Sequence, residues 1–448
     1  MTARFVPVHP PRPAVPTQGW RNLFGANARN LVAGWSELAF DEWHTRRSLL
    51  GTVIHFVRHP DMIEHVLLSN AGNYVKPRLV KRITAPMIGK GLLTADGDLW
   101  RTQRRIVAPS FAPGAVARLT GLIAAAAERS TAGWPATGRI DIAATATATT
   151  MRIIADALFS GDSRLTTPEA SRHIEAALLA VGQVRIAALL GFPGIKLSPT
   201  AWRGDAGRRY LRGTLTAIVR ERGPEGGEDF LGGMIRDLHG RFPAGEAVAL
   251  AIDNAATFYL AGHETTSNAL AWTMYLLATA PAVQDRACAE AVAALAGDAE
   301  SLPERLPYLR QVLDEAMRLY PPAPRFDREA LADDDLGDGI TVRKGELVSI
   351  WPWLVHRHRK LWDDPDGFDP GRFAAGKESG RHRFQYIPFG GGARVCVGAR
   401  FAVVEALVIL AHWLAARRFT LAEDFVVDPL GSVTLRPRGG IMVDMERA

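Results

Sequence analysis

Apolar residues recur three and four positions apart along most of residues 100–280, and this spacing predicts amphipathic helices. The longest such run, over residues 244–280, predicts one long helix, and the apolar run at 401–416 predicts another. Prolines interrupt the helical region, among them Pro109, Pro113, Pro135, Pro193 and Pro243. The chain is therefore expected to be mainly helical.

Strand-like patterns are few and short. Residues 52–57 combine β-branched and aromatic side chains, and Pro60 is placed to begin a helix. Residues 339–342, 347–350 and 432–435 have the same strand-like character. No repeat or low-complexity linker divides the chain. We predict a mainly α fold with small peripheral β-sheets, forming a single domain over residues 1–448 after a proline-rich strap at 1–20.

Composition narrows the class of protein. The 448 residues include 53 Lys and Arg against 47 Asp and Glu, and this net charge of +6 is too small to indicate nucleic-acid binding. Two cysteines do not make a disulfide framework and favour a reducing compartment. The N-terminal segment has no apolar signal-peptide core, and its prolines disfavour an anchor helix. We predict a cytoplasmic protein without a membrane anchor.

Cys396 stands in an unusual loop. It lies in the segment Phe-Gly-Gly-Gly-Ala-Arg-Val-Cys-Val-Gly, residues 389–398, directly before the apolar run. Three consecutive glycines let the backbone turn tightly and approach a flat group closely. Amides at a helix start lower the pKa of a thiol through their partial positive charge. The alternatives are a buried structural cysteine, or a phosphate loop that lacks the usual Gly-Lys-Ser/Thr.

Every fixed position of one family pattern is present in this loop. The pattern is Phe-x-x-Gly-x-Arg-x-Cys-x-Gly, matched by Phe389, Gly392, Arg394, Cys396 and Gly398. The loop closely resembles the haem-binding loop of the cytochrome P-450 family of haem-thiolate monooxygenases. The resemblance implies the cytochrome P-450 fold, with a long central helix over a haem b whose iron is bound by the Cys396 thiolate.

Two further elements resemble the structural core of that family. Glu315 and Arg318 form a Glu-x-x-Arg pair on one helical face. Residues 368–373, Phe-Asp-Pro-Gly-Arg-Phe, resemble the Phe-x-Pro-x-Arg-Phe element of the family, with Gly371 where the family often has Glu. The resemblance implies that Glu315, Arg318 and Arg372 form a buried structural triad beneath the haem, and that losing it abolishes haem incorporation.

Haem carries two carboxylates that require cationic or hydrogen-bonding partners. Trp100 and Arg104 are four residues apart near a predicted helix start, which by itself is typical of a solvated basic face. Arginine suits carboxylates because its guanidinium offers a bidentate fork. The family resemblance implies that Trp100, Arg104, Arg328 and Arg394 bind the haem propionates.

The long predicted helix contains Ala261-Gly-His-Glu-Thr-Thr266. A threonine inside a helix usually bonds to the carbonyl four residues earlier, here that of Ala261. A zinc-protease site is excluded because no second histidine follows His263 by four residues. The segment resembles the oxygen-activation segment of the family, where the helix widens locally opposite the iron. This implies proton delivery by Glu264 and Thr265, with Ala261 against the cofactor.

A substrate pocket is expected beside this segment. Helical spacing back from Ala261 places Thr257, and Asn254 or Asp253, on one face. The resemblance adds Ala323, Pro324 and Arg325 from a turn, and Ser432 and Val433 from a C-terminal hairpin. The pocket should be chiefly apolar with a few polar anchors. Arg325 has two open roles, either binding an acidic substrate or stabilising its own loop.

The resemblance implies insertion of one oxygen atom from O₂ into a C–H bond, or across a C=C bond, of a hydrophobic small molecule. The chain holds no flavin or iron–sulfur segment, so electrons from NAD(P)H are expected through a ferredoxin- or flavodoxin-type donor and its reductase. Candidate basic residues for docking that donor are Arg101, Arg104, Arg105, Arg394 and Arg400. The alternatives are a peroxide-using peroxygenase or isomerase of the same fold, and a non-catalytic haem sensor or carrier.

Overall fold

The computed structural model describes residues 5–15, 30–49, 51–182 and 199–447. Helices dominate these residues, with 3₁₀ and π turns between them. The α-helices, numbered in chain order, are α1 Pro60–Glu64, α2 Arg78–Ile88, α3 Gly97–Val107, α4 Pro113–Ala117, α5 Thr120–Ala132, α6 Ile142–Phe159, α7 Pro168–Gly182, α8 Pro199–Arg222, α9 Phe230–His239, α10 Ala244–Thr279, α11 Pro281–Leu295, α12 Pro307–Leu319, α13 Pro352–Val355 and α14 Ala399–Ala416. The predicted mainly α fold with small sheets is confirmed.

In the part of the chain that the structure describes, the strands form four small sheets. They are β1 His44–Leu49, β2 Thr52–Val57, β3 Tyr74–Val75, β4 Gly138–Asp141, β5 Phe326–Ala330, β6 Asp334–Asp335, β7 Thr341–Val342, β8 Leu347–Ile350, β9 Arg417–Leu421, β10 Pro429–Gly431, β11 Leu435–Pro437 and β12 Met442–Arg447. The largest sheet has the order β1-β2-β8-β5-β3, and a second has the order β4-β12-β9. Within the larger sheet β2 and β8 are parallel, whereas β5 and β8 are antiparallel.

Several predicted elements have the expected bounds. The long helix α10 has 36 residues and ends at Thr279, immediately before Pro281 begins α11. Strand β2 covers the predicted residues 52–57, and α1 begins at Pro60. Strand β8 matches the predicted residues 347–350.

Other predicted elements are corrected by the structure. Residues 432–434 form the turn between β10 and β11 instead of a strand, and the Ser432 amide donates to the Thr434 carbonyl across it. The strand predicted at 339–342 is only the two-residue β7, because Gly337 and Gly339 have positive φ angles that fit a turn. Strand β4, which was not predicted, lies within the mainly helical region just after the predicted break at Pro135. The predicted break at Pro193 lies outside the described residues.

The chain divides into two compact units, each assembled from separate segments. The first unit comprises Met1–Pro77, Ala127–Ala146 and Thr265–Ala448, and it holds all four sheets. The second comprises Arg78–Ala126 and Thr147–Glu264 and is helical in its described part. The prediction of a single domain over residues 1–448 stays a prediction.

The first unit has a core rich in large aromatic side chains. The Trp272 and Tyr320 rings stack with centroids 4.1 Å apart, and Trp353 and Trp413 are also fully buried. Helix α14 lies against α11 and α12, and most of its side chains are buried. The chain around Cys396 is thus attached to a largely buried helix of this unit.

The second unit packs helices closely at small residues. Helices α7 and α8 meet where a Cβ on Gly207 would lie 2.0 Å from the His173 carbonyl oxygen. The rings of Phe111, Phe230 and Phe258 cluster between α9 and the first half of α10. These contacts fix the first half of α10 within its unit.

Among the described residues, two single helices have the length and apolar composition of a membrane span. They are Ile142–Phe159 and Ala399–Ala416. Two shorter segments that meet at a bend, Gly97–Phe111 and Pro113–Ala132, together also have this length and composition. In the first helix 56% of this apolar stretch is buried inside the protein, and in the second helix 61% is buried. Their apolar character is therefore largely accounted for by core packing.

Candidate active site

The loop around Cys396 is shaped by its own backbone bonds and by glycine. The Cys396 amide donates to the Phe389 carbonyl at 3.0 Å and closes the loop. Gly392 has φ +65°, and a Cβ there would lie 1.8 Å from the Leu67 carbonyl oxygen. Only glycine fits this position without moving backbone. Gly398 caps α14, and the Cys396 side chain is exposed directly before that helix.

Glu315, Arg318 and Arg372 are brought together in the first unit. Arg318 donates through Nε to Glu315 Oε2 at 2.6 Å and through Nη2 to Oε1 at 2.8 Å. Arg372 Nε lies 3.4 Å from the same carboxylate. The side chains of Glu315 and Arg318 are completely buried, and that of Arg372 is 9% exposed. The pair is bidentate, which makes it strong and geometrically specific.

His356 joins this network to the segment that leads into the cysteine loop. Arg318 Nη1 donates to the His356 carbonyl at 2.7 Å, and the Ile387 amide donates to His356 Nε2 at 2.9 Å. Burial, together with Arg318 and Arg357, lowers the pKa of His356 to about 3. The ring is neutral at physiological pH and remains an acceptor for Ile387. The sequence analysis missed His356.

The middle of α10 is accessible, whereas the helix on both sides of it is buried. All ten residues 251–260 and all of 266–278 are buried, but Ala261 is exposed and Gly262, Glu264 and Thr265 are partly exposed. His263 is buried, and its Nδ1 contacts the Tyr259 carbonyl. Because burial lowers its pKa to about 4, its ring is neutral at physiological pH. The accessible face of α10 therefore presents Glu264 and Thr265, the acid–alcohol pair.

The helix continues without interruption through this segment. One extra donor reaches its backbone, since Thr150 Oγ1 donates to the His263 carbonyl at 3.1 Å. Gly262 permits close packing here, because a Cβ would lie 2.6 Å from Ile154 Cδ1. The local widening that the resemblance implies thus does not break α10.

Glu405 was also missed by the sequence analysis. It lies on α14, nine residues after Cys396, and is completely buried. Burial raises the pKa of its carboxyl well above the usual range, and a hydrogen bond with Thr266 opposes that shift only in part. The shift favours the neutral form of this carboxyl, which lies beside Thr266.

Asn254 and Thr257 are buried among polar partners of the second unit. Asn254 Oδ1 accepts from the Leu92 amide at 2.8 Å, and its Nδ2 donates to Gln103 Oε1 at 2.7 Å. A Cβ on Gly91 would lie 2.4 Å from Thr257 Oγ1. Both side chains thus hold the chain around Gly91 and Leu92 against α10. Substrate contact by these two residues stays a prediction.

Replacing Asn254 by leucine is expected to lower the free energy of unfolding by about 1–3 kcal/mol, because the Leu92 amide loses its buried acceptor. Urea unfolding of the variant measures this effect. The double variant with Gln103→Leu should lose less than the sum of the two single variants, since both side chains belong to one hydrogen bond. Strict additivity would contradict the assigned contact.

The turn after α12 and the C-terminal hairpin, both predicted to line the pocket, are neighbours in the first unit. The Leu435 amide donates to the Pro322 carbonyl at 2.9 Å, so the hairpin turn lies beside the turn after α12. In that hairpin Val433 is exposed and Ser432 is half-buried, while in the other turn Ala323 is half-buried and Pro324 is buried. The structure brings these segments together.

The predicted propionate-binding residues divide between the units. Trp100 and Arg104 are half-buried on α3 in the second unit, one turn apart. In the first unit Arg328 is buried on β5, with Nη1 donating to the Asp327 carbonyl at 3.0 Å, and Arg394 is half-buried in the cysteine loop. Their role toward a cofactor stays a prediction.

Comparison with known proteins decides the family. The cytochrome P450 family model matches residues 44–443, which is most of the chain. The chain is a cytochrome P450. The chain is 30% identical over 417 residues to a putative cytochrome P450 132 of Mycobacterium tuberculosis, with 89% of each chain covered. Cyclooctatin synthase of Streptomyces melanosporofaciens is 32% identical over 391 residues, covering 85% of this chain and 82% of its own.

Other similar cytochromes P450 carry names that state a reaction. Cyclooctat-9-en-7-ol 5-monooxygenase of Streptomyces melanosporofaciens is 30% identical over 387 residues, covering 84% of this chain and 81% of its own. Taurochenodeoxycholic 6 alpha-hydroxylase of Sus scrofa is 29% identical over 421 residues, covering 87% and 81%. The protein is a cytochrome P450 monooxygenase, as the sequence analysis predicted.

The cytochrome P450 family implies a haem-thiolate cofactor, and the described residues fit it. Cys396 supplies one accessible sulfur on a loop whose Gly392 leaves no room for a side chain against Leu67. Arg394 and Arg328 supply cations in the same unit for carboxylate groups. A bound haem would supply the oxygen chemistry, with the thiolate favouring O–O cleavage.

Proposed function

We propose that this cytochrome P450 hydroxylates or epoxidises a hydrophobic small molecule, using O₂ and electrons from NAD(P)H delivered by separate redox partners. The observation that carries this proposal is the accessible acid–alcohol pair, Glu264 and Thr265, in a helix that is buried on both sides of the pair, over residues 251–260 and 266–278. A carrier or sensor has no need of an ionisable group there. Two similar proteins have names that state a hydroxylase or monooxygenase reaction, the taurochenodeoxycholic 6 alpha-hydroxylase and the cyclooctat-9-en-7-ol 5-monooxygenase, and these names support the proposed reaction type.

The two residues have separate tasks in the proposal. The Glu264 carboxylate takes protons from solvent and passes them inward, since a carboxyl group at an accessible site exchanges protons readily. The Thr265 hydroxyl both donates and accepts hydrogen bonds, so it orients the water that receives each proton. The buried residues on both sides of the pair exclude bulk water from the rest of the helix face.

The preserved acid–alcohol pair favours O₂ over peroxide as the oxidant, because peroxide already carries the protons and electrons that O₂ requires. The proposal is tested by supplying ¹⁸O₂ with NADH and surrogate ferredoxin partners, after a panel of hydrophobic compounds has been screened for spin-state shifts. One ¹⁸O atom is expected in the product. Turnover with hydrogen peroxide but not with O₂ would favour the peroxygenase alternative.

We propose an acidic ferredoxin or flavodoxin as the electron donor. Arg400 is exposed on the first turn of α14, four residues after Cys396, and its side chain lies 3.6 Å from Glu304. Arg101 on α3 is paired with Asp98 in the same way. Surface pairs of this kind contribute little to stability, so an acidic partner can replace the internal carboxylates at small cost.

Turnover with a ferredoxin donor is expected to fall several-fold when the ionic strength rises from 0.05 to about 0.5 M, because salt screens attraction between exposed charges. The rate of product formation at limiting donor concentration measures this effect. Substrate binding in the absence of the donor is the control and should change little. Donor docking that is insensitive to salt would contradict the electrostatic part of the proposal.

We also propose that the protein works in the cytoplasm. The two helices of membrane-span length, α6 and α14, are more than half buried in the protein, so their apolar side chains already have partners. Fractionation of cells that express the protein should recover it with the soluble fraction. Recovery with membranes after a high-salt wash would contradict this location.

A further inference from the structure

Thr150 places a hydroxyl group in the buried apolar face of α6. The residues that follow it on this face, Ile153, Ile154 and Ala157, are apolar and buried, and Thr150 itself is completely buried. A buried hydroxyl loses its hydrogen bonds to water, so it needs an acceptor inside the protein. Thr150 Oγ1 reaches one outside its own helix, because it donates to the His263 carbonyl of α10 at 3.1 Å.

This bond to α10 is more than the threonine needs for itself. Thr150 Oγ1 also lies 3.2 Å from the Thr147 carbonyl of its own helix. Threonine in a helix commonly satisfies its hydroxyl in that way. The single hydrogen of the hydroxyl is thus shared between a local carbonyl and one on α10. The contact with His263 therefore follows from the way α6 packs on α10.

The acceptor of the bond belongs to the peptide group that carries Glu264. The His263 carbonyl and the Glu264 amide form one planar unit, so a pull on the carbonyl turns the whole unit. A helical carbonyl points along the helix axis toward the amide four residues later. A second donor beside the helix tilts that carbonyl outward, as water does on the exposed side of a helix. Thr150 thus sets the tilt of the backbone from which the Glu264 side chain projects.

The residue before this peptide group is held by the same helix. Gly262 lies so close to α6 that a Cβ there would be 2.6 Å from Ile154 Cδ1. Ile154 follows Thr150 by one helical turn, so α6 contacts two consecutive residues of α10 from one face. The backbone that leads into Glu264 is therefore restrained in position by Ile154 and in tilt by Thr150.

The side chains around His263 prevent α10 from rotating about its axis. His263 Nδ1 lies 2.6 Å from the Tyr259 carbonyl, and the Tyr259 hydroxyl donates to the Leu165 carbonyl. The Tyr259 ring also meets the Phe159 ring edge to face, with centroids 5.9 Å apart. Removal of the Thr150 hydroxyl should therefore change the tilt of one peptide group and leave the helix in place.

We propose that Thr150 is a positioning residue for proton delivery, because its hydroxyl fixes the peptide group between His263 and Glu264 and thereby aims the Glu264 carboxyl group. The inference deepens the proposed function and rests on it, since Glu264 carries the protons there. A proton carrier must lie within hydrogen-bond reach of its acceptor, and a small displacement of such a group lowers the rate. Thr150 acts through the backbone and is not a catalytic residue.

Nuclear magnetic resonance of the haem-loaded protein, reduced and bound to carbon monoxide, tests the contact itself. The dipeptide His263–Glu264 is the one place in the sequence where glutamate follows histidine. Histidine labelled with ¹³C at the carbonyl and glutamate labelled with ¹⁵N therefore give one correlated signal. Thr150→Val keeps the shape and removes the hydroxyl, so it should move the carbonyl signal upfield, as expected for a lost hydrogen bond. Thr150→Ser should keep it near the wild-type position.

Product formed per NADH consumed measures the consequence for proton delivery. Thr150→Val should lower this quantity about tenfold, which is the factor that corresponds to the free energy of one hydrogen bond. Thr150→Ser should stay within about twofold of wild type, because serine restores the donor. Thr273→Val is the matched control, since Thr273 is also fully buried and donates to a carbonyl of α10, that of Ala269, at 2.7 Å. It should change neither the coupling nor the labelled carbonyl signal.

The Glu264→Gln background separates a positioning defect from a weakened fold. If Thr150 acts through Glu264, the double variant Thr150→Val/Glu264→Gln should couple within about twofold of Glu264→Gln alone. A defect that acts independently of Glu264 would lower coupling about tenfold again.

Four results would overturn the proposal. They are an unmoved carbonyl signal in Thr150→Val, wild-type coupling in that variant, a further tenfold loss in the Glu264→Gln background, and failure of Thr150→Ser to retain coupling. If Thr150→Val does not fold, Thr150→Ala carries the same expectations, and failure of both to fold would assign the hydroxyl to stability alone and overturn the proposal as well.

Failure of the proposed function has a different signature. The wild-type protein would then form no product from O₂, although its labelled carbonyl signal still responds to Thr150→Val. That outcome would also remove the role of Thr150 in proton delivery. Coupled turnover in wild type and in Thr150→Val alike would contradict the positioning role only.

Discussion

Replacing Arg318 by methionine is expected to lower the free energy of unfolding by about 3–5 kcal/mol, because Glu315 would be left as a buried carboxylate without its bidentate partner. Arg318 also donates to three backbone carbonyls, those of His356, Pro365 and Gly367. Each of these carbonyls would lose a charged donor. The loss is therefore larger than that of one ion pair.

Urea unfolding of the variant, with haem content measured in parallel, checks this expectation. Because His356 connects Arg318 to Ile387, ahead of the cysteine loop, haem content should fall together with stability. Arg101→Met is the matched control, since Arg101 and Asp98 have the same i, i+3 spacing but are exposed. That variant should lose less than about 1 kcal/mol. Equal losses in the two variants would contradict the structural role of the triad.

Glu264→Gln is expected to reduce product formation about 100-fold, because the amide keeps the shape of the carboxyl group but does not carry protons at neutral pH. Thr265→Val should have an effect of similar size, since the methyl group preserves volume and removes the hydroxyl. In both variants O₂ and NADH consumption should exceed product formation. Stability should change little, because both positions are partly exposed.

Product per NADH consumed is the measurement that checks these two variants. Glu246→Gln is the matched control, because it makes the same chemical change on the exposed first turn of the same helix. It should retain wild-type coupling. Product formation within threefold of wild type in both Glu264→Gln and Thr265→Val would contradict their role in proton delivery.

The features that sequence predicted well depend on local spacing. The 36 residues of α10 follow from its uninterrupted apolar periodicity, and the Glu-x-x-Arg pair is adjacent because helical geometry alone places i and i+3 together. The cysteine loop was recognisable because the five fixed residues of its pattern lie within ten positions of the chain, residues 389–398. In these cases the residues that determine the local structure lie close together in the sequence.

The features that sequence reasoning missed depend on partners far along the chain. The bonds of Asn254 to Gln103 and Leu92, more than 150 residues away along the chain, were not predicted from the sequence. His356 and Glu405 became notable only through Ile387 and Thr266. Residues 432–434 have strand-forming side chains, yet pairing of β10 with β11 makes them the turn. Tertiary contacts decided each case.

The carbon-monoxide difference spectrum of the reduced protein tests the central claim most directly, because it reports the ligand on the haem iron. We expect the wild-type protein and Cys288→Ala to show the long-wavelength Soret band of thiolate ligation, and Cys396→Ala to lose it. A wild-type band at the position typical of histidine ligation, or a thiolate band that persists in Cys396→Ala, would contradict the assignment of Cys396 as the axial ligand.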